Sequence, residues 1–327
     1  MESQIVKGNN TISYEMLHSK FDILNKPWWR NSIDERDVKY FILNLEYLQK
    51  AISLAVNKND ALFWKGYIDL HYENYTLECI SSESDVDLSI DFVQKSLKKS
   101  WFHKMKMFLN WSYRKIFTKC LKPERSSFLA KKVQNLHKAI TNTFPPVFFP
   151  NLPIEHFTPS FAQQLHLQIG NGLINNAGQY RTRFVMAAQD NLVYLTPDLI
   201  ENRMNELFRQ CREKFERTDL QLKEAIKFGA CFLSHFLLIH PFMNGNGRVA
   251  RLLLSYLLSR FTVVPLSLYI GTKTRDVYLQ CLREAQWSQG SFKPSVLESF
   301  ILECIYMTSY NLCVVMDIEI QDSVIES

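Results

Sequence analysis

Glycine is scarce in this chain, which has ten glycines in 327 residues beside 23 Phe and 14 Tyr. A chain with so little glycine can build few tight turns, and this favours long helices over folds with many strands. Apolar residues make up 46% and charged residues 22%, which is ordinary globular usage and allows a sizeable core. A disordered tail, a disulfide miniprotein and a collagen-like chain are therefore excluded. One large domain or two smaller ones are expected.

Apolar residues recur at helical spacing along most of the chain. The predicted helices cover residues 37–57, 86–118, 127–142, 221–239, 273–286 and 294–316, and two more begin after Thr196 and near Asn246. Thr158 and Thr196 are predicted N-caps, because each of them stands directly before a proline. Residues 183–186 and 192–195 are the predicted strands of one hairpin. The sequence thus predicts a mainly α chain with a single β-hairpin.

One run of residues, His240–Arg251, combines groups that phosphate chemistry requires. An apolar helix is predicted to end at His240, because Pro241 disfavours helix there. Histidine titrates near neutral pH and can therefore abstract a proton. Gly245 and Gly247 let the backbone approach a ligand closely.

The helix predicted to begin near Asn246 completes this arrangement. Its unpaired N–H groups and the positive end of its dipole form an anion site. Arg248 and Arg251 are three residues apart on one face and can both reach a polyphosphate. The run therefore predicts phosphate chemistry with a general base beside it.

The run His240–Arg251 resembles the signature of the Fic family, H-P-F-x-[D/E]-G-N-G-R-x-x-R. Upstream, Gly178–Val185 is similar to the family pattern G-x-[YF]-R-x-x-x-V at the entry to a β-hairpin flap. Downstream, Arg275–Leu282 resembles the R-x-x-Y-x-x-x-L helix that closes the nucleotide base pocket. The resemblance extends over roughly residues 70–305.

This resemblance implies a mainly α Fic fold, a helical bundle with a β-hairpin flap, preceded by an N-terminal helical region. The expected divisions are an N-terminal region at 1–125, a Fic domain at 126–310 and a C-terminal helix end at 311–327. The implied activity is transfer of AMP from ATP to a Ser, Thr or Tyr hydroxyl of a target protein, with Mg²⁺ or Mn²⁺. The target protein is the implied partner, and a homodimer is an open alternative for the assembly.

The family also implies roles for individual residues, carried over by position. His240 would be the general base and Asn244 the metal ligand. The nucleotide would be bound by Gly245, Asn246, Gly247, Arg248, Arg251 and Tyr278, and the target segment by the flap residues Phe184, Val185 and Tyr194.

Two motifs each depart from the family pattern at one position. Asn244 stands where the family has an acid, and a neutral amide oxygen suits Mg²⁺ less well than a carboxylate. Glu73, within a helix predicted near 69–80, resembles the glutamate of the family's self-inhibitory motif, although Asp69 replaces the motif's Ser or Thr. Glu73 is therefore either an exposed helical glutamate or an inhibitory residue that pairs with Arg251.

Alternatives to AMP transfer remain. One is a Fic-fold transferase with another donor, either a different nucleoside triphosphate or a phosphocholine carrier. Another is a non-catalytic Fic-fold adaptor in which Asn244 marks the loss of activity. The joint presence of His240, Asn246, Arg248 and Arg251 argues against the adaptor.

The basic residues are concentrated between Lys95 and Lys132, where twelve Lys and Arg accompany one acid, whereas the whole chain carries a net charge of only +5. This segment is either a solvated helix face or an amphipathic helix that contacts a membrane or another anionic partner. Nucleic acid is not the expected partner.

The cysteines indicate the compartment. Seven widely spaced cysteines without a C-x-x-C pair suggest free thiols in a reducing compartment. The first residues lack the apolar stretch of a signal peptide, and no run of 18 apolar residues occurs. A cytoplasmic protein is therefore expected.

Overall fold

The computed structural model describes residues 15–31, 33–56, 61–81, 89–97, 123–187, 192–268, 275–287 and 294–318. Its helices are α1 (Val38–Val56), α2 (Ala61–Ser81), α3 (Ile90–Ser96), α4 (Pro123–Thr143), α5 (Pro159–Gly170), α6 (Ile200–Phe215), α7 (Leu222–Ile239), α8 (Asn246–Leu257), α9 (Arg275–Trp287) and α10 (Ser295–Val315). Short 3₁₀ turns cover Ile154–His156, Pro197–Leu199 and Leu258–Arg260. The prediction of a mainly α chain is confirmed.

Helix α7 lies at the centre of the bundle. It packs against α6, α8, α9 and α10, while α1 covers α10 and α2 packs on α4 and α8. Twelve of its eighteen residues are buried, because other helices pack against it on several sides. One continuous hydrophobic core therefore extends from Met16, near the first described residue, to α10, the last described helix. The predicted divisions near 125 and 310 fall inside α4 and α10 and stay predictions.

The hairpin is shorter than predicted. Strands β1 (Met186–Ala187) and β2 (Leu192–Val193) pair antiparallel, with Met186 opposite Val193, in place of the expected 183–186 and 192–195. One further bond joins the two sides, from the Tyr194 N–H to the Val185 carbonyl, and the next N–H, that of Leu195, donates to the Leu238 carbonyl of α7 instead. The hairpin is thereby attached to the C-terminal end of α7.

The two predicted N-caps differ. Thr158 caps α5, since its side chain accepts a hydrogen bond from the Phe161 N–H at 3.1 Å. Thr196 makes no such bond and opens a 3₁₀ turn, so α6 begins only at Ile200. The predicted N-cap position before Pro197 is therefore confirmed, but the Thr196 side chain makes no capping bond there.

The basic segment 95–132 falls mostly outside the described residues. The predicted helix 86–118 also lies outside them from residue 98 onwards. The two interpretations of that segment stay predictions. Six cysteines lie in the described parts, where they are buried and form no disulfide. No helix in those parts combines the length and apolar character that a membrane crossing needs.

Candidate functional site

The site is built where α7 ends and α8 begins. His240 adopts the left-handed conformation (φ 49°, ψ 59°) and donates its N–H to the Phe236 carbonyl at 3.0 Å, which stops α7. Gly245, also left-handed (φ 79°), is the residue before α8. The loop between them brings the His240 ring and the N-terminus of α8 to the same cavity.

Asn246 holds this loop closed. Its side-chain Oδ1 accepts from the Phe242 N–H at 2.9 Å, and its Nδ2 donates to the Phe242 carbonyl at 2.7 Å. Both residues are buried, so these two bonds set the loop conformation in a medium where breaking them is costly. The resemblance implies a phosphate contact for Asn246, whereas these bonds show a bracing role.

Gly245 cannot be replaced without strain. Its positive φ disfavours any side chain, and an added Cβ would lie 3.2 Å from Arg248 Nη2. Arg248 is buried under this loop with 3% of its surface exposed. The glycine thus lets a guanidinium pack directly beneath the start of α8.

Arg181 joins the hairpin to the end of α7. Its guanidinium, 3% exposed, donates to the carbonyls of Arg183, Leu195, Ile239 and His240, the last at 2.7 Å from Nε. Two of these carbonyls belong to the C-terminal end of α7, which has no intrahelical partners for them. Burial lowers the pKa of Arg181. Arg181 therefore sets the position of the His240 backbone relative to the hairpin.

His166 on α5 braces the loop from the other side, and sequence reasoning missed it. Its Nδ1 accepts from the Gly178 N–H at 2.8 Å, so its proton lies on Nε2, which donates to the Asn244 carbonyl at 3.0 Å. Its ring stacks on Phe242 with centroids 3.9 Å apart. Burial lowers its pKa to about 4, which keeps the ring neutral. A lone histidine on an apolar helix gives no sequence signal for this role.

The His240 ring is held by stacking. The Tyr194 ring lies parallel to it, with centroids 3.8 Å apart and an interplanar angle of 20°. Tyr194 is positioned by its N–H, which donates to the Val185 carbonyl at 3.3 Å. Phe184, another of the predicted flap residues, is 73% exposed. The hairpin thus places Tyr194 on His240 and Phe184 at the surface.

These elements enclose a cavity of about 550 Å³. Its described lining comprises Phe128, Lys132, Leu173, Ile174, Tyr194, Leu237, His240, Met243, Asn244, Gly245, Asn246, Gly247, Arg248, Arg251, Arg275, Tyr278, Leu279, Leu282, Arg283 and Gln286. The structure therefore brings the predicted catalytic, nucleotide and metal positions together with Tyr194. Phe184, Val185 and Glu73 are not part of that lining. Lys132 and Arg283 were not predicted.

Helix α2 contacts the second arginine of the run. Arg251 Nη2 donates to the Cys79 carbonyl at 2.9 Å, and the Tyr75 hydroxyl donates to the Arg251 carbonyl at 3.1 Å. Glu73 lies two residues before Tyr75 on α2, fully buried, and its Oε2 accepts from Gln94 Nε2 at 3.1 Å. The alternative of an exposed glutamate was therefore wrong, whereas the inhibitory role stays a prediction.

The residues at the expected metal position fit Mg²⁺ poorly. Asn244 offers a neutral amide, and its Oδ1 already accepts from the Gly245 N–H at 2.7 Å. Mg²⁺ is usually bound through carboxylates together with substrate phosphates. Among the described residues no cluster of three or more His, Cys, Asp or Glu could hold a metal ion.

Comparison with known proteins identifies the family. The Fic/DOC family model matches residues 156–258, which contain the hairpin, α7 and α8. A Fido domain-containing protein of Dictyostelium discoideum is 34% identical over 118 residues, which is 35% of this chain and 75% of that protein. The chain belongs to the Fic/Fido family. Its mainly α Fic fold was therefore predicted correctly from the sequence.

Two further relatives of this Fic/Fido protein are informative. The protein adenylyltransferase Fic of Nematostella vectensis is 33% identical over 134 residues, or 40% of this chain but only 28% of that protein. The solved structure of Fic-1 from C. elegans, residues 134–508, aligns with a TM-score of 0.61 at 16% identity, covering 85% of this chain and 73% of that one. The second likeness shows the fold alone.

Proposed function

We propose that this Fic/Fido protein is a transferase that moves AMP from ATP to a Ser, Thr or Tyr hydroxyl of a target protein. The observation that carries the proposal is the shared cavity, in which His240 faces the N-terminus of α8 and its two arginines. The similarity to the Nematostella adenylyltransferase supports it.

His240 is the proposed general base. The target hydroxyl oxygen attacks the α-phosphorus, the bond from that phosphorus to the bridging oxygen breaks, and pyrophosphate leaves. The hydroxyl proton passes to the His240 imidazole. Stacking on Tyr194 and the Arg181 bond to the His240 carbonyl hold the His240 ring in place. A base that is held in position lowers the activation barrier of the transfer.

The donor phosphates are proposed to lie at the start of α8. The α-phosphate faces the unpaired backbone N–H groups of Asn246 and Gly247, where the dipole favours negative charge. The N–H of Gly245 already donates to Asn244 Oδ1. Arg248 and Arg251 bind the β- and γ-phosphates, and the adenine lies beside Tyr278 on α9.

The hairpin is the proposed docking element for the target. The described sheet has two strands that pair with each other, so an extended target segment can add backbone hydrogen bonds along an outer edge. Val185 and Tyr194 fix the hairpin next to His240, and exposed Phe184 offers an apolar contact. A target segment bound there would present its hydroxyl to His240.

Helix α2 is the proposed restraint on activity. It holds the Arg251 guanidinium through the Cys79 carbonyl, and Glu73 places a buried carboxyl on the same helix. Glu73→Gly weakens α2 and should raise self-modification strongly, because glycine in a helix interior costs about 1 kcal/mol and the Gln94 contact is lost. An unchanged rate of self-modification would retire the restraint.

One experiment tests the proposed function. The wild-type chain, Glu73→Gly and His240→Ala are incubated with each nucleoside triphosphate, or with a phosphocholine carrier, in Mg²⁺, Mn²⁺ or EDTA, and intact masses are measured. A mass increase of one AMP that disappears in His240→Ala supports AMP transfer. An adduct formed from another donor would show that this donor, and not ATP, is the substrate. No adduct with any donor favours the non-catalytic adaptor.

A further inference from the structure

At the position that would bind the metal in the Fic signature, this chain has Asn244, and both its side-chain oxygen and its backbone carbonyl oxygen accept hydrogen bonds within the protein. Asn244 Oδ1 accepts from the Gly245 N–H, and the Asn244 backbone carbonyl accepts from His166 Nε2. Both bonds belong to the bracing of the loop before α8. A ligand role for Asn244 would therefore compete with the contacts that hold the anion site in shape.

The cavity around Asn244 is strongly cationic. Five of its described lining residues are Lys or Arg and none is Asp or Glu; the cations are Lys132, Arg248, Arg251, Arg275 and Arg283. The positive end of the α8 dipole adds to them. Such a lining repels a divalent cation and supplies the positive charge that a polyphosphate needs.

We propose that this chain neutralises the donor's polyphosphate with its own side-chain cations, and that it binds the nucleotide without a divalent metal ion. The proposal rests on the nucleotide-binding part of the proposed function. Arg248 and Arg251 act from α8, and Lys132 acts from α4 on the other wall of the cavity.

Lys132 is the new binding residue in this proposal. It is half-buried and lines the cavity, while its neighbour Lys131 is exposed and extends toward Gly172. The two lysines share one helix, one charge and one length. Lys131→Met is therefore a matched control for Lys132→Met.

The test is calorimetric titration of the full chain with ATP, once with Mg²⁺ and once with EDTA. The proposal predicts dissociation constants that agree within about threefold. Lys132→Met should weaken ATP binding by about tenfold, the usual value of one charged contact, and leave adenosine binding unchanged. Lys131→Met should change neither. ATP binding that is lost in EDTA, or equal effects of the two lysine variants, would overturn the proposal.

Asn244→Asp gives a second, independent readout. The new carboxylate repels the phosphates unless a metal ion lies between them, so this variant should bind ATP weakly in EDTA and recover in Mg²⁺. Equal affinity of the variant in both buffers would contradict the account.

The same titrations separate the two proposals. Absence of ATP binding in both buffers, in the wild type and in Glu73→Gly, refutes the nucleotide-dependent function itself. Binding that appears only with Mg²⁺ refutes the metal-free mode alone.

Discussion

Replacing Arg181 with methionine should destabilise the protein and misplace His240, the proposed general base. One buried guanidinium serves four backbone carbonyls, which come from Arg183, Leu195, Ile239 and His240. Methionine keeps the apolar stem but removes every donor. The end of α7 and the hairpin then lose the group that joins them.

The magnitude follows from these bonds. Each hydrogen bond from a charged donor contributes about 1.5–3 kcal/mol, and a carbonyl left unsatisfied in a buried place costs about 1–3 kcal/mol. Burying the charged guanidinium costs the wild-type protein several kcal/mol of desolvation free energy, and the methionine variant avoids this cost. The structure gives Arg181 only 3% exposure, so both contributions are large. We expect a net loss of about 2–4 kcal/mol in the free energy of unfolding.

The assay is urea denaturation combined with steady-state AMP transfer. Arg183→Met is the control, because Arg183 is an exposed arginine two residues away. Arg181→Lys should lie between wild type and Arg181→Met, since one ammonium cannot reach four carbonyls. In Arg181→Met at a temperature where it remains folded, kcat should fall while the KM for ATP stays the same. An unfolding free energy within about 0.5 kcal/mol of wild type, the usual range of surface substitutions, would refute the reasoning.

Three further predictions concern protonation and ring stacking. Burial lowers the pKa of three histidines from 6.5 to about 4; they are His71, His166 and His235. Between these pH values the unfolded chain binds more protons than the folded one, so the free energy of unfolding should fall as the pH is lowered from 6.5 to 4. Denaturation at each pH should show a loss of at most about 3 kcal/mol for each histidine. Burial raises the pKa of Glu298 from 4.5 to about 8, so the folded state retains its proton and stability should fall as pH rises through that range; Glu298→Gln should remove this contribution in the same titration. Tyr194→Ala removes the ring stacked on His240 and should lower kcat roughly tenfold, whereas Tyr194→Phe should retain most of it, as steady-state transfer would show.

Local patterns in the sequence predicted the central helices well. The predicted helix 221–239 is found as Leu222–Ile239, and the next begins at Asn246 as expected. Both predictions depend on neighbouring residues, because Pro241 disfavours helix at His240 and Gly245 stands directly before α8. The positions of the family signature follow from the same local run and share one cavity.

The contacts that shape the site were beyond sequence reasoning because they join distant residues. His166 is 78 residues from Asn244, and Arg181 is 59 residues from His240. Neither spacing leaves a periodic pattern. The roles expected for Asn246 and for Asn244, the metal position, came from the resemblance to the family. In the structure the side chains of both residues form hydrogen bonds within the loop. The strands of the hairpin were predicted to be too long, because β-branched and aromatic residues favour strand, whereas contacts with α7 end the pairing in the structure.

The most direct measurement of the central claim uses two samples of ATP, one radiolabelled on the α-phosphate and one on the γ-phosphate, with Glu73→Gly and its His240→Ala double variant. AMP transfer by His240 predicts protein labelled from the α-phosphate alone, and no label in the double variant. Protein labelled from the γ-phosphate, or α-label that persists without His240, would contradict the account.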